Sequence, residues 1–235
     1  MAVLVPALGV ILPSSNRVVE RVTKSILDDF PGVDACFARV PYEGHPADGY
    51  QVEPFLQSAE LLADARAGII LWNATRGALL GFEPDRALCA LIERETGIPA
   101  TTTALETTAL LAALGLTNIA LLQQGDLREG EHLDRSFAGQ GITITARRDL
   151  GIRDNFEASV VSPDDIVQLS SALAASRPDA ILIWSTNLDG HSLTRTLSAQ
   201  LGIPVFDSGA IGTMAALRKL PGLAAQMEAR TATAP

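Results

Sequence analysis

Hydroxyl, amide and guanidinium side chains are concentrated in five short segments of this sequence. Such groups donate hydrogen bonds to anions, and an arginine can hold a carboxylate through two parallel bonds. Together they have the chemistry of a site for a small carboxylate. The segments are PSSN at 13–16, WNATRG at 72–77, PATTT at 99–103, DN at 154–155 and WSTN at 184–187.

Individual side chains in these segments suit different tasks. The Thr75 hydroxyl could donate to a carboxylate oxygen, and Arg76 could pair with one. The Asn155 amide could hydrogen-bond a substrate carboxylate or stabilise an oxyanion. The start of the helix predicted after Asn16 offers free N–H groups and the positive end of the helix dipole, which favour an anion.

Every segment also has an interpretation that requires no function, and the sequence leaves both open. Ser14 or Ser15 could simply cap the first helix. Arg76 could be a surface charge. Three threonines at 101–103 are typical of a capped helix start, and an Asp-Asn pair at 154–155 is typical of a turn.

Ser185 is the candidate for a reacting group, because it follows an apolar strand and ligands of parallel sheets sit at strand ends. A serine nucleophile needs a neighbouring base, and histidine is ready for that role near neutral pH. His191 follows six residues later, early in the next helix, and an exposed helix position is the alternative for it. His45 lies in a loop, YEGHP at 42–46, that could reach into a cleft.

Short apolar runs alternate with helical patterns along the whole chain, which predicts an α/β fold with mainly parallel sheets. The predicted strands span 7–12, 35–39, 67–71, 119–122, 143–147, 180–183 and 205–207. The predicted helices span 17–29, 51–65, 83–95, 105–113, 130–138, 163–175, 188–200 and about 209–217.

The chain also contains two similar halves. LWNATRG at 71–77 and IWSTNLDG at 183–190 both place a tryptophan and small polar residues at the end of an apolar strand. A GIP tripeptide ends a helix at 97–99 and again at 202–204. The pattern predicts two lobes related by a pseudo-twofold axis, with a cleft at the carboxyl ends of the strands. Chance similarity between βα units is the alternative.

Composition limits the classes of partner. The 235 residues are 47% hydrophobic and 19% charged, so one large domain or two small lobes can bury a core. The net charge of −9 argues against nucleic acid and against an anionic membrane surface as the partner. A few local donors can still bind a small anionic ligand.

The sequence predicts a cytoplasmic protein. The apolar N-terminus lacks a basic region and carries Pro6 and Pro13, which favours a buried first strand over a signal peptide. No apolar run approaches the ~20 residues of a membrane span. Cys36 and Cys89 alone indicate neither a disulfide framework nor a zinc site. The sequence holds no GxGxxG, Walker or HExxH motif that would support nucleotide or zinc chemistry.

In their order and spacing these segments resemble the maleate isomerase and arylmalonate decarboxylase branch of the aspartate/glutamate racemase superfamily. The resemblance covers most of the chain: LGVILPSSNRVVE, LWNATRGALLG, GIPATTTALETTALLAALGLTNIALL, LGIRDNFE, DAILIWSTNLDG and GIPVFDSGA. It implies two Rossmann-like lobes around one active-site cleft, homo-oligomerisation, no cofactor and no metal. The first lobe is expected to comprise residues 1–100 and 206–235, and the second residues 101–205.

The resemblance implies chemistry next to an acidic carbon, carried out by one or two cysteine thiols. The two thiol positions correspond to Ala74, or to Asn73 if the alignment shifts by one residue, and to Ser185. The position of a substrate-binding tyrosine corresponds to Gly125. Neither cysteine of the chain matches a thiol position. The residues predicted to bind substrate are Ser15, Asn16, Asn73, Thr75, Gln124, Asn155 and Thr186.

Three functions are compatible with this pattern. A serine hydroxyl is a far weaker acid than a thiol, so the first hypothesis is a divergent isomerase or decarboxylase that acts on a small mono- or dicarboxylate without thiols. Decarboxylation suits the missing thiols better, because only its final protonation needs an acid. The second is a non-catalytic carboxylate-binding or regulatory protein. The third is a hydrolase or ring-opening enzyme, which predicts a contact of about 3 Å between Ser185 and His191 or His45.

Overall fold

The computed structural model describes residues 5–41, 49–225 and 227. These residues form eight β-strands, ten α-helices and a short 3₁₀ turn at Ala174–Ser176. The strands are β1 Ala7–Pro13, β2 Asp34–Val40, β3 Ile69–Trp72, β4 Ala100–Thr102, β5 Asn118–Gln123, β6 Thr143–Asp149, β7 Ala180–Trp184 and β8 Val205–Asp207. The helices are α1 Val18–Leu27, α2 Val52–Asp64, α3 Arg76–Leu79, α4 Glu83–Thr96, α5 Thr103–Ala113, α6 Leu127–Ala138, α7 Asn155–Ser159, α8 Pro163–Leu173, α9 His191–Leu201 and α10 Ser208–Lys219.

The described strands belong to two four-stranded sheets, and every strand pair is parallel. The first sheet has the order β2-β1-β3-β4 and the second the order β6-β5-β7-β8. The second sheet thus repeats the strand order of the first, as the two similar halves of the sequence predict. The prediction of an α/β fold with two lobes built on parallel sheets is confirmed.

The inner strands carry the site at their ends. β1, β3 and β7 bury every residue, which is typical of a parallel sheet covered on both faces. Ile11 of β1 pairs with Trp72 of β3, and Gln123 of β5 pairs with Trp184 of β7. Because neighbouring parallel strands end together, the polar segments that follow them emerge side by side.

Helix α1 shows how the helices cover these sheets. Val18, Val22 and Ile26 recur every four residues and are buried, so they form one apolar face. That face packs into a core with Leu8 and Val10 of β1. Burial of such aliphatic side chains contributes roughly 1.5–3 kcal/mol each.

Helix α10 packs against α1 and α5. Its residues Ala216 and Leu217 belong to the same hydrophobic core as β1 and α1. The C-terminal helix therefore contributes to the core of the first sheet. The division of the chain at residues 100 and 205 itself stays a prediction.

Three elements are present that the sequence pattern does not predict. They are β4, α3 and α7, which contain between three and five residues each. Elements this short contain too few residues to show the periodic spacing of apolar side chains from which helices and strands are predicted. Two of them, α3 and α7, contribute residues to the candidate site.

Two predicted helix starts are wrong by three residues. Helix α6 begins at Leu127 and not at Gly130, because the Asp126 carboxylate accepts hydrogen bonds from two N–H groups of the first turn. Helix α9 begins at His191 and not at Leu188. Leu188 lies in a turn in which its N–H donates to the Ser185 carbonyl over 3.1 Å.

Candidate active site

A cleft lies where the inner strands of both sheets end. It encloses about 560 Å³ of empty space, counting the part open to solvent. Its polar lining comprises Thr75, Arg76, Gln123, Gln124, Glu129, Asn155, Ser185, Thr186 and Asn187, and its other lining comprises Pro13, Ala74, Leu79, Gly125, Leu133, Ile152 and Trp184. The lining therefore combines many hydrogen-bonding groups with several apolar side chains.

Six of the residues predicted for the site line this cleft. They are Ala74, Thr75, Gln124, Asn155, Ser185 and Thr186. Ser15 reaches it indirectly, because its hydroxyl accepts a hydrogen bond from Asn155 Nδ2 over 2.8 Å. Asn16, Asn73 and His191 are not part of the lining, and His45 lies outside the described residues.

Among the residues that the structure describes, Ser185 is held by its neighbours and not by a histidine. Its hydroxyl donates to Gln124 Oε1 over 2.6 Å and accepts from the N–H of Asn187 over 3.1 Å. A hydroxyl has one proton to donate, so this geometry directs it to the amide of Gln124. Register explains the contact, since Gln124 follows β5 and Ser185 follows the paired end of β7.

Asn155 connects this network to the first lobe. Its Oδ1 accepts from Gln124 Nε2 over 3.2 Å and from Asn187 Nδ2 over 2.9 Å. Its Nδ2 donates to Ser15 after β1. Asn155 opens α7, where the Asp154 carboxylate accepts from two N–H groups of the helix. In the DN segment, Asp154 therefore has the structural role of a helix cap, and Asn155 lines the cleft.

Asn16 bridges the two lobes beneath the cleft. It is fully buried, and its Nδ2 donates to the carbonyl and hydroxyl of Thr186 over 3.2 and 3.1 Å. Its Oδ1 accepts from the N–H groups of Val18 and Val19. Asn16, and neither Ser14 nor Ser15, therefore caps α1. All of its amide hydrogen bonds are used within the protein, which does not favour the predicted contact with substrate.

The Asn73 side chain also makes its hydrogen bonds within the protein. It is fully buried, its Nδ2 donates to the Gly209 carbonyl and the Thr213 hydroxyl, and its Oδ1 accepts from Thr103. These bonds attach the end of β3 to α5 and α10. Ala74, and not Asn73, lines the cleft at this strand end.

Arg76 and Thr75 form the donor group of the first lobe. Arg76 is only 4% exposed and lines the cleft, so its interpretation as a surface charge is wrong. A guanidinium presents five N–H donors in a planar fork that matches a carboxylate. The Thr75 hydroxyl lies beside it and makes no hydrogen bond within the described part of the chain, which leaves it available to a ligand.

Gly77 allows helix α3 to approach a buried carboxylate. A Cβ atom at this position would overlap the carboxyl group of Asp85. Tyr50 and Thr102 donate to the two Asp85 oxygens, and burial raises the pKa of Asp85 to about 6. These contacts of Asp85 fix the turn between β3 and α3, and they therefore also fix the position of Arg76.

The threonines at 101–103 support the structure. Thr102 caps α5 through the N–H of Leu105, as a capped helix start predicts. Thr101 donates to Glu106 and Thr103 donates to Asn73. None of the three lines the cleft.

The histidine prediction fails for His191. It is the first residue of α9 and lines a separate cavity with Asp207 and Lys219. Burial lowers its pKa. The contact of about 3 Å with Ser185 that a hydrolase requires is therefore missing for this histidine in the described structure.

Neither cysteine lies in the cleft. Cys36 is in β2 and Cys89 is in α4, and neither belongs to the lining. Burial raises the pKa of the Cys89 thiol to about 12, so it stays protonated and unreactive near neutral pH. Within the described residues, no group of three or more His, Cys, Asp or Glu side chains is placed to hold a metal ion, and no helix could span a membrane.

Sequence reasoning missed five lining residues: Leu79, Gln123, Glu129, Leu133 and Ile152. Glu129 and Leu133 lie one turn apart on α6, which packs against α3 of the other lobe. Their spacing identifies a helix face but does not indicate that the face meets a cleft. Only the tertiary structure, in which β5 pairs with β7 and α6 packs against α3, brings them to the site.

Two parallel sheets of identical strand order, with a polar cleft at their strand ends, define a two-lobed α/β protein of the kind that binds small ligands between its lobes. A family model described as arylmalonate decarboxylase matches residues 48–232. The chain therefore belongs to the arylmalonate decarboxylase family.

Individual relatives agree with this assignment. The maleate isomerase of Nocardia farcinica is 25% identical over 224 residues, which cover 91% of this chain and 89% of that protein. A solved maleate isomerase of Pseudomonas putida, a cysteine-to-alanine variant with maleate, matches with a TM-score of 0.82, 20% identity and coverage of 92% and 95%. A liganded double variant of arylmalonate decarboxylase matches with a TM-score of 0.80, 23% identity and coverage of 92% and 93%.

Proposed function

We propose that this protein is a cofactor-independent decarboxylase of small mono- or dicarboxylates that works without a catalytic thiol. The observation that carries the proposal is a cleft lined both by a buried arginine and by apolar side chains, in a chain of the arylmalonate decarboxylase family. Relatives named for decarboxylation and for maleate isomerisation make a carboxylate substrate the natural expectation.

Arg76 and Thr75 are the proposed carboxylate holders. A charge-assisted bond from a buried guanidinium is about twice as strong as a neutral hydrogen bond. Opposite them, Ser185 and Thr186 follow β7, and no acceptor for their backbone N–H groups is found among the described residues. These donors suit the oxygen atoms of an enolate that develops when a carboxylate leaves.

The apolar side chains of the cleft suit the departing carbon dioxide. Leu79, Leu133 and Ile152 belong to the lining, and apolar side chains give little stabilisation to an ionised carboxylate. A carboxylate placed there is destabilised relative to the neutral carbon dioxide that it becomes. Loss of carbon dioxide leaves an electron pair on the adjacent carbon, and that carbon then takes one proton.

The absence of a thiol from the described lining disfavours the alternative of isomerisation by thiol addition. The strand end that carries the second thiol position in relatives holds Ser185, whose proton is directed to Gln124. A serine hydroxyl would need a base to become a nucleophile, and an amide oxygen is not one. Decarboxylation requires neither a thiolate nor an alkoxide.

The first test is a thermal-shift screen with phenylmalonate, maleate, malonate and aspartate, followed by NMR detection of turnover. We expect phenylmalonate to bind and to lose carbon dioxide. Arg76→Met is expected to weaken its binding about 10- to 100-fold, because a charged hydrogen bond contributes about 1.5–3 kcal/mol.

The matched control is Arg128→Met, which removes an exposed arginine of α6 and is expected to leave binding as in the wild type. Equal loss in both variants would show that Arg76 acts only through the overall charge. Binding without turnover would contradict the enzymatic proposal and support a carboxylate-binding protein. Turnover of maleate to fumarate would replace decarboxylation with isomerisation.

A further inference from the structure

The carboxyl group of Glu129 occupies a space that the sequence opens at Gly125. A Cβ atom at Gly125 would overlap Glu129 Oε2 and would lie 2.9 Å from Gln123 Oε1. Any side chain at this position would therefore displace the Glu129 carboxyl group. Both residues line the cleft, so the carboxyl group lies at the cleft surface over the backbone of Gly125.

The register of the second sheet places the turn that contains Gly125 beside the segment that begins with Ser185, because Gln123 of β5 pairs with Trp184 of β7. Helix α6, which carries Glu129, also packs against α3, the helix that begins with Arg76. Glu129 therefore lines the same cleft as the two donor groups assigned to the substrate.

A helix cap alone does not account for this placement. Glu129 is the third residue of α6, and Asp126 is its cap, which is the spacing of a capping box. In that motif the glutamate turns back to the N–H of the capping residue. Here Oε2 also occupies the space over Gly125, and the half-buried side chain lines the cleft.

We propose that Glu129 is the general acid of the decarboxylation, the group that delivers the proton to the carbon from which carbon dioxide has left. This inference rests on the proposed function and identifies the proton source that it requires. The bond between the substrate carbon and the departing carboxylate breaks, and its electron pair remains on that carbon. The carbon takes the proton of the Glu129 carboxyl group, and the resulting carboxylate regains a proton from water, so one proton is consumed per turnover.

Burial favours the protonated form of Glu129. It is the largest effect and raises the pKa of Glu129, and the charge of Asp126 raises it further. Arg153 and Arg76 oppose this change, but the net direction is upward. A carboxyl group with a raised pKa is protonated in a larger fraction of molecules near neutral pH, as a general acid requires.

The test measures phenylmalonate turnover from pH 5 to 9 in the wild type, Glu129→Gln and Glu131→Gln. Glutamine keeps the shape of Glu129 but has no proton to give, so kcat is expected to fall about 10²- to 10⁴-fold. Binding of the dianion is expected not to weaken, because glutamine is neutral, as the protonated glutamate is. The exposed Glu131 lies on the same helix outside the cleft, and its variant is expected to behave as the wild type.

A second variant tests the position of the carboxyl group without removing it. Gly125→Ala retains Glu129 but forces its carboxyl group away from the cleft floor, and is expected to lower kcat at least tenfold. In the wild type kcat is expected to fall as pH rises through the pKa of Glu129, and this decline should vanish in Glu129→Gln.

The outcomes separate this inference from the proposed function. Wild-type turnover with a Glu129→Gln variant that keeps more than a tenth of kcat and the same pH profile would overturn the role of Glu129 alone. No wild-type turnover of phenylmalonate, malonate or maleate would overturn the proposed function and the role of Glu129 with it.

Discussion

Replacing Asn16 with alanine is expected to lower the free energy of unfolding by about 3–4 kcal/mol. The substitution removes the cap of α1, which contributes about 0.5–2 kcal/mol. It also leaves buried polar groups of Thr186 without their donor, at about 1–3 kcal/mol for each unsatisfied group. The side chain is fully buried, so water cannot readily replace the four lost bonds.

Urea denaturation measures this effect, and Asn16→Ser divides it into its parts. Serine keeps a capping oxygen for α1 but is too short to reach Thr186 in the second lobe, so it should lose less stability than alanine. A double-mutant cycle with Thr186→Val isolates the hydroxyl contact between the lobes. A loss below about 1 kcal/mol in Asn16→Ala would show that the bridge contributes little.

Replacing Asp207 with asparagine is expected to change how stability depends on pH. The Asp207 side chain caps α10 by accepting from the N–H of Ala210, and its second oxygen has no hydrogen-bond partner among the described residues. Burial, assisted by the charge of Asp189, raises the pKa of Asp207 to about 7. The folded protein therefore binds this proton more tightly than the unfolded chain does.

The sign of the effect follows from proton linkage. Between about pH 4, where an unfolded aspartate ionises, and about pH 7, the folded state holds more protons, so rising pH lowers stability. The difference between the two pKa values corresponds to roughly 4 kcal/mol in the free energy of unfolding. This contribution is fully lost above pH 7. Below pH 4 both states are protonated and the group contributes no pH dependence.

Chemical denaturation at pH 4, 6 and 8 tests this prediction. Asparagine remains a good helix cap and does not ionise, so the stability of Asp207→Asn relative to the wild type should rise by up to about 4 kcal/mol between pH 4 and pH 8. The exposed Asp164→Asn serves as the control and should follow the wild type at each pH. Parallel pH curves for Asp207→Asn and the wild type would contradict the raised pKa.

Apolar strands were largely predictable, and the short elements α3, α7 and β4 were not. β1 differs from its prediction only by including Pro13, because burial on both faces of a parallel sheet requires a continuous apolar run. The three-residue β8 was also predicted with its observed bounds, 205–207. Helices α3 and α7 failed because four or five residues carry too little pattern, and tertiary contacts rather than local propensity hold them.

The site residues that follow strands were predictable from the sequence, and those that helix α6 contributes were not. Ala74, Thr75, Ser185 and Thr186 line the cleft, since the ends of parallel strands lie at one edge of the sheet whatever the details of packing. Glu129 was missed because its spacing on α6 identifies a helix face, and only the pairing of β5 with β7 and the packing of α6 against α3 bring that face to the cleft.

The amino-acid sequence alone determined the alternation of strands and helices, the two similar halves and the lack of a thiol at the strand ends. These properties depend on residue identity and on spacing along the chain. Tertiary structure decided which polar side chains face the cleft: it directs the amides of Asn16 and Asn73 into the protein, buries Arg76 and brings Glu129 over Gly125. A side chain's role depends on partners that lie up to 170 residues away in the chain, and only folding brings such partners within hydrogen-bonding distance.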